Sequence, residues 1–233
     1  MENHSHFKAL IFDFDGLILE TEGADLRSWQ ELYEMYGGRL PFSMWADNIG
    51  TEEGPLDPAL ELEQQIGRKL DWSRLKPQRY ARWVELVEAQ AALPGVMEYL
   101  EEAKKMGVKI GLASCSPMDW LNRHLGRLGM LGYFDVIRGK EYVRVTKPDP
   151  AVYLAALEAL QVGGEQAIAF EDSPNGVRAA KAAGLFCIVV PNGMTSVLPL
   201  DHADLRLNSL SDISLEKLLR KVNAMTNNPT HTG

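Results

Sequence analysis

Phe7-Lys8-Ala9-Leu10-Ile11-Phe12-Asp13-Phe14-Asp15-Gly16 is an apolar run that ends in two carboxylates two residues apart, then a glycine. A short apolar run closed by Gly reads as a strand buried in a parallel sheet. The carboxyl ends of such strands open into the crevice where ligands bind. Residues i and i+2 of an extended chain point the same way, so Asp13 and Asp15 would repel unless a cation or a proton separates them. A pair of turn-forming aspartates ahead of a glycine is the competing reading. The rest of the chain decides between them.

Outward from that stretch, the pattern first turns helical. From about Glu22, Leu26, Trp29, Leu32, Tyr33 and Tyr36 recur at three- and four-residue steps and stop at Gly37-Gly38. Gly54-Pro55 and Asp57-Pro58 mark a loop, followed by a helix through Leu60, Leu62 and Ile66. A long helix is predicted from about Lys76 to Ala92, with Tyr80, Trp83, Val84 and Val87 on one face. Residues 21–92 offer no convincing strand, yet they hold Trp29, Trp45, Trp72 and Trp83, four of the five tryptophans. This block reads as a helical insert with a small core of its own.

Beyond the Leu93-Pro94-Gly95 boundary the chain alternates. Strands are predicted at Val108–Ala113, Asp135–Ile137, Ala167–Phe170, Cys187–Val190 and Leu205–Leu207. Helices are predicted from Val96 to a stop at Gly107, and over Met118–Leu128, Pro150–Leu160 and Pro174–Ala183. A last one carries Leu215, Leu218, Leu219 and Val222. Ser173 is a plausible N-cap, with Pro174 at the first helical position. Residues 226–233 are polar and expected to be a disordered tail. The alternation implies an α/β fold, a doubly wound parallel sheet with a Rossmann-like core. Residues 1–20 and 93–233 would form that core, and residues 21–92 an inserted α-helical cap domain.

The 233 residues are 45% apolar and 24% charged, enough for one large domain or a domain with an insert. A net charge of -8 argues against a nucleic-acid or anionic-membrane surface. No apolar run approaches the ~20 residues of a membrane helix. Cys115 and Cys187 give no disulfide framework, which favours a reducing cytoplasm. The polar start, Met1–His6, runs straight into the first strand, and no signal peptide is expected.

Several predicted strands hand over to polar residues at their carboxyl ends. The first gives Asp13 and Asp15, the second Ser114 and then Ser116, and the fourth Glu171 and Asp172. Lys147 precedes Pro148-Asp149-Pro150 at the entrance of a helix. In a parallel sheet all of these face one crevice. Four clustered carboxylates suit a hard cation such as Mg²⁺. Ser114, nearby backbone N–H groups and Lys147 suit phosphoryl oxygens. A carboxylate nucleophile beside a metal and a cationic clamp is an arrangement for phosphoryl transfer. Taken singly, Ser114 is more often a cap, Lys147 a solvated side chain, and Glu171-Asp172-Ser173 a helix start. Their order on successive strand ends is what favours the functional reading.

Phe12-Asp13-Phe14-Asp15-Gly16, Leu112-Ala113-Ser114, Lys147-Pro148-Asp149-Pro150 and Phe170-Glu171-Asp172-Ser173-Pro174-Asn175-Gly176-Val177 together resemble the haloacid dehalogenase superfamily. The similarity is to its branch with a helical cap after the first strand, which holds beta-phosphoglucomutase and sugar-phosphate phosphatases. The resemblance implies a Mg²⁺-dependent phosphatase of small phosphorylated metabolites. It implies Asp13 as nucleophile, and Asp15 as the acid that protonates the leaving alcohol and then the base that activates water. Asp13, the main-chain carbonyl of Asp15 and Asp172 would hold Mg²⁺, with Glu171 reaching it through water. Ser114 and Lys147 would hold the phosphoryl group, with Ser116 beside them. The cap would close over the site, with Thr21 near one hinge and Leu93-Pro94-Gly95 at the other.

Departures from the family pattern narrow the reading. The dehalogenases proper lack the second aspartate, so Asp15 argues against carbon–halogen cleavage. Beta-phosphoglucomutase carries a cap histidine where this chain has Asp25, which favours a hydrolase over a mutase. Glu20 stands where the family usually has Asp. The loop Asn48-Ile49-Gly50-Thr51-Glu52-Glu53 lacks the arginine that some relatives use for a distal phosphate. Arg79 and Arg82 on the long cap helix are candidate substrate contacts, against the plainer reading of a solvated face. The alternatives are a phosphomutase and a non-catalytic metabolite-binding protein on the same fold. A monomer or weak homodimer is expected, with no nucleic-acid or membrane partner.

Overall fold

The computed structural model describes residues 6–49 and 55–227. In chain order the elements are β1 (Ala9–Phe12), α1 (Glu22–Tyr36), α2 (Phe42–Trp45), α3 (Pro58–Ile66), α4 (Trp72–Glu88), α5 (Val96–Met106), β2 (Lys109–Ala113), α6 (Met118–Arg127), β3 (Val136–Arg138), α7 (Ala151–Leu160), β4 (Ala167–Glu171), α8 (Pro174–Ala182), β5 (Phe186–Val189), β6 (Leu205–Arg206) and α9 (Leu215–Asn227).

The strands form one sheet in the order β3-β2-β1-β4-β5-β6. Every neighbouring pair is parallel. The chain winds outward from β1 to β3, then returns to the other side of β1 and winds out to β6. The reversal falls between β1 and β4, where Phe12 lies opposite Phe170. A doubly wound sheet splays its connections apart at such a point and leaves a crevice beyond the strand ends.

Alternate residues of each strand serve opposite layers. Leu10, Phe12, Ile110, Leu112, Ile168 and Phe170 pack with Tyr99, Leu100, Leu121, Leu125 and Leu218, from α5, α6 and α9. Ile11, Ala169 and Val189 pack with Val152, Tyr153, Val177 and Ala180, from α7 and α8. With both faces covered, β1 has no exposed residue, which accounts for its unbroken apolar run.

Helices α1–α4 are inserted between β1 and α5 and build a separate cluster from Leu26, Trp29, Leu32, Tyr33, Trp45, Leu62 and Leu75. The insert is less self-contained than its periodicity suggests. Ala24, Val84 and Val87 are buried in the layer below the sheet, and Trp83 packs against it. Trp83 stacks on Trp120 of α6, with ring centroids 4.6 Å apart and planes 12° from parallel. The end of α4 is thus shared between insert and core, whereas Tyr80 on the predicted apolar face is exposed.

Helix α4 begins at Trp72 rather than near Lys76, because the Asp71 side chain accepts the Ser73 N–H and caps it; the helix ends at Glu88, short of the predicted Ala92. The short α2 is an addition to the predicted elements. At the other end α9 runs to Asn227, so Thr226 belongs to its last turn, donating its hydroxyl to the Val222 carbonyl at 3.1 Å. The remainder of the expected tail, 228–233, lies outside the described residues, as do residues 50–53 of the insert loop.

Candidate active site

The first two acids leave β1 in different directions of use. The Asp13 N–H donates to the Phe170 carbonyl and continues the ladder for one more residue. Gly16 then turns the chain at φ 84°, and a Cβ there would lie 2.0 Å from Asp172 Oδ2. Only glycine allows both that backbone angle and that approach. Asn192 locks the junction: its Nδ2 donates to the Gly16 carbonyl at 2.9 Å and to Asp172 Oδ2 at 3.0 Å.

Glu171 is the last residue of β4, and Asp172 leads into α8 through the Ser173 cap, whose hydroxyl accepts the Gly176 N–H. Gly176 is required there as well, since a Cβ would come within 1.9 Å of Glu171 Oε2. Lys147, joined to Pro148 by a cis peptide, places its Nζ 2.7 Å from Asp13 Oδ1 and 2.6 Å from Glu171 Oε1. The Tyr153 hydroxyl donates to the same Glu171 oxygen at 2.6 Å, and its ring lies 5.0 Å from Lys147 Nζ. The Asp172 N–H and the Ser173 hydroxyl donate to the other Glu171 oxygen. Glu171 is therefore saturated by four donors, while Asp13 and Asp172 keep accepting capacity.

Asp15 has other company. Its Oδ2 accepts from Ser116 Oγ at 2.5 Å and Ser114 Oγ at 3.4 Å. Its Oδ1 accepts from Thr21 Oγ1 at 3.0 Å and Trp120 Nε1 at 3.4 Å. Thr21 sits at the N-cap position of α1, but its hydroxyl is taken by Asp15; Glu20 caps instead, accepting the Gly23 N–H at 2.7 Å. That is the local consequence of Glu20 at its position.

Burial, and then the neighbouring Glu171, push the Asp13 carboxyl up to about 7 against the pull of Lys147. Burial, then Asp13 and Glu171, push Asp172 well above the carboxylate range. Lys147 is held charged by Asp13 and Glu171 in spite of its burial. One ammonium thus faces three buried acids, an excess of negative charge that a divalent cation would relieve. Asp13, Glu171 and Asp172 each offer an oxygen, all within 4.8 Å of one another. The Asp13 and Asp172 carboxylates, which keep accepting capacity, are hard donors that fit Mg²⁺ beside the engaged Glu171.

A cavity of about 410 Å³ opens over these groups. Asp13, Asp15, Ser114, Ser116, Lys147 and Asp172 all line it, whereas Glu171, Arg79 and Arg82 do not. Arg82 pairs instead with Glu31 and Glu85 on the exposed side of α4. Arg79 pairs with Asp25. Sequence reasoning missed Tyr153, Asn192 and Trp120. Tyr153 carried one faint signal, an aromatic hydroxyl three residues after Pro150. The other two come from distant segments and carried none.

A doubly wound parallel sheet with acids at the ends of β1 and β4, a serine after β2 and a lysine between them defines a class of phosphate-handling hydrolase. The haloacid dehalogenase-like hydrolase family profile matches residues 7–184, and the chain belongs to that family. Its family and its phosphatase-named relatives make it a phosphoric monoester hydrolase. The Bacillus subtilis (strain 168) protein named "Putative phosphatase YhcW" is 44% identical over 93% of this chain and 98% of its own. Hexitol phosphatase B of Escherichia coli (strain K12) is 32% identical over 91% of this chain and 96% of its own. Among solved structures, beta-phosphoglucomutase from Clostridium difficile superposes with a TM-score of 0.73 at 26% identity, covering 95% of this chain and all of that one.

Proposed function

We propose that this protein is a cytoplasmic, Mg²⁺-dependent phosphatase of small sugar or polyol phosphates, working through an aspartyl-phosphate on Asp13. The observation that carries the reading is the contrast between the two acids of β1. Asp13 touches a fixed cation, Lys147 Nζ, and lines the cavity. Every hydrogen bond described for Asp15 comes from a neutral donor: two serines, a threonine and an indole. A nucleophile needs a cation that opposes its protonation, which Lys147 supplies against the burial of Asp13, and an acid–base group needs a proton that can come and go.

In this reading Asp13 attacks phosphorus while Asp15 protonates the leaving alcohol. Asp15 then takes a proton from the water that cleaves the acyl phosphate. Lys147 and Ser114 bind the transferring phosphoryl oxygens. Asp13, the Asp15 carbonyl and Asp172 would hold Mg²⁺, with the saturated Glu171 reaching it through water. When bound, the ion offsets charge on the phosphoryl group and on the clustered acids. The inserted helices cover the site during chemistry and exclude bulk water. The cytoplasmic assignment draws on the two cysteines, which are free thiols. The names of Hexitol phosphatase B and of the beta-phosphoglucomutase neighbour support the substrate class.

The test is phosphate release from a panel of sugar phosphates, polyol phosphates and nucleotides, with Mg²⁺ or with chelator, using Asp13→Asn as control. Release by the wild type alone, and only with Mg²⁺, is expected. Absence of release, with interconversion of a hexose phosphate once a bisphosphate primer is added, would replace the phosphatase with a mutase.

A further inference from the structure

The inserted helices supply Thr21, Glu22, Asp25 and Trp83 to the cavity wall. Two of the four are carboxylates, and no described lysine or arginine of the insert joins them. Lys140 and Lys147, the cations that do line the cavity, both come from the core. Asp25, in the first turn of α1, is 29% exposed. One of its oxygens is bonded by Arg79 Nη1. Among the described residues the other oxygen has no hydrogen-bond partner.

Arg79 lies behind this wall and is committed there. The same Nη1 donates to Ser28 Oγ at 2.8 Å, and the guanidinium sits 4.6 Å from the Trp29 ring centroid. Ser28 in turn donates to the Asp25 carbonyl at 2.7 Å, so the two residues are braced on one turn of α1. A guanidinium engaged by a carboxylate, a hydroxyl and an indole face, and only 15% exposed, is placed to orient Asp25 rather than to meet ligand.

We propose that Asp25 is a specificity-determining residue, the acceptor for a hydroxyl or ammonium group on the alcohol half of the ester, and that Arg79 is its positioning residue. The inference rests on the phosphatase reading. It narrows the substrate to a polyhydroxylated or amino-bearing monophosphate. A second phosphate brought against this wall would meet the Glu22 and Asp25 carboxylates and, among the described residues of the insert that line it, no cation, and is rejected. An unsubstituted alkyl ester leaves the Asp25 oxygen without a donor. The loss of one hydrogen bond to a charged group corresponds to about 10- to 100-fold in kcat/KM.

The experiment compares a hexitol 6-phosphate, hexyl phosphate and a hexose 1,6-bisphosphate. Steady-state kinetics are measured for the wild type and for Asp25→Ala, Asp25→Asn, Arg79→Met and Arg79→Lys. The wild type should favour the hexitol phosphate over both others, by at least about tenfold over hexyl phosphate. Asp25→Ala and Arg79→Met should collapse the hexitol-to-hexyl ratio, chiefly through KM, and Arg79→Lys should restore part of it. Calorimetric binding of the same three ligands to Asp13→Asn reads the discrimination without turnover. Binding preference without any phosphate release by the wild type would remove the phosphatase and leave Asp25 in its role. Turnover of all three esters at similar kcat/KM would do the reverse. A wild-type preference for the bisphosphate, lost in Arg79→Met alone, would overturn the proposal and make Arg79 a phosphate clamp. Should the Ala and Met variants fail to fold, Asp25→Asn and the wild-type ratios decide.

Discussion

Replacing Tyr153 by Phe removes one oxygen from the most crowded part of the site. The phenol donates to Glu171 Oε1 at 2.6 Å, and both residues are wholly buried. Burial and the nearby Glu171 and Asp13 push the phenol well above its ordinary range, so it is a donor at every working pH. The phenyl ring of the variant keeps its packing in the layer with Val152 and Val177 and its place beside Lys147. What is lost is a hydrogen bond to a buried carboxylate, worth about 1.5–3 kcal/mol. For a chain of this length each kcal/mol lowers Tm by about 2–4 °C, so a fall of about 3–12 °C is expected. The assay is thermal unfolding followed by circular dichroism at neutral pH in chelator, where no cation adds to the stability of the acids. A fall of less than about 1 °C would refute the reasoning. Glu171 would then be held by Lys147, the Asp172 N–H and the Ser173 hydroxyl alone, and the phenol would be dispensable.

Two further perturbations separate other parts of the argument. Trp120→Phe keeps an aromatic ring against Trp83 but removes the indole N–H from Asp15 Oδ1. A fall in kcat of about 2- to 10-fold with KM little changed is expected for the preferred ester, and an unchanged kcat would remove Trp120 from the proton-transfer machinery. In the insert, hydrogen bonds from Lys69, the Leu70 N–H and Trp72 hold Glu63 down at about 2, with Lys69 contributing most. A depressed carboxyl stabilises the fold above its ordinary pKa of 4.5 and loses that contribution as pH falls toward 2. The wild-type Tm should therefore fall more steeply than that of Glu63→Gln between about pH 5 and pH 3, and parallel curves would show that the cluster is not linked to stability.

The parts of the site legible in the sequence are those where a local pattern has a single structural outcome. An unbroken apolar run must be a strand buried on both faces, so the acids after Phe12 and Phe170 fall at one edge of a parallel sheet. Ser114 follows by the same logic at the end of β2. Residues whose role depends on a distant partner were not legible. Trp120 meets Asp15 across 105 positions, and Asn192 meets Gly16 across 176. Nothing in either neighbourhood signals the contact. In the insert, periodicity gives helices but not the partner of each face. It puts Trp83 on the same stripe as Val84 and Val87, yet cannot say that this stripe leaves the insert's own cluster for the core. Arg79 shows the same limit: its charge was legible, while the carboxylate that takes it lies 54 positions away.

The surroundings of Asp15 link the insert to the chemistry. Its Oδ2 is served by Ser114 and Ser116, both on the exit from β2. Its Oδ1 is served by Thr21, where the chain enters the insert, and by Trp120. Trp120 is stacked on Trp83 of α4, and Trp83 Nε1 donates to the Thr21 carbonyl at 3.2 Å. Thr21 and the indole stack therefore form one unit, bonded to each other and to one oxygen of Asp15, the proposed acid–base group. A swing of the insert that breaks the stack would carry Thr21 away with Trp83, leaving Oδ1 with Trp120 of α6 alone while Oδ2 keeps the serines. A carboxylate that loses one of its donors is less well oriented to deliver or accept a proton. The seating of the inserted helices and the aim of Asp15 are in this way a single structural variable. On the proposed mechanism, substrates that let the insert close fully would gain proton transfer along with enclosure, and the acid–base step would be coupled to the same wall that carries Asp25.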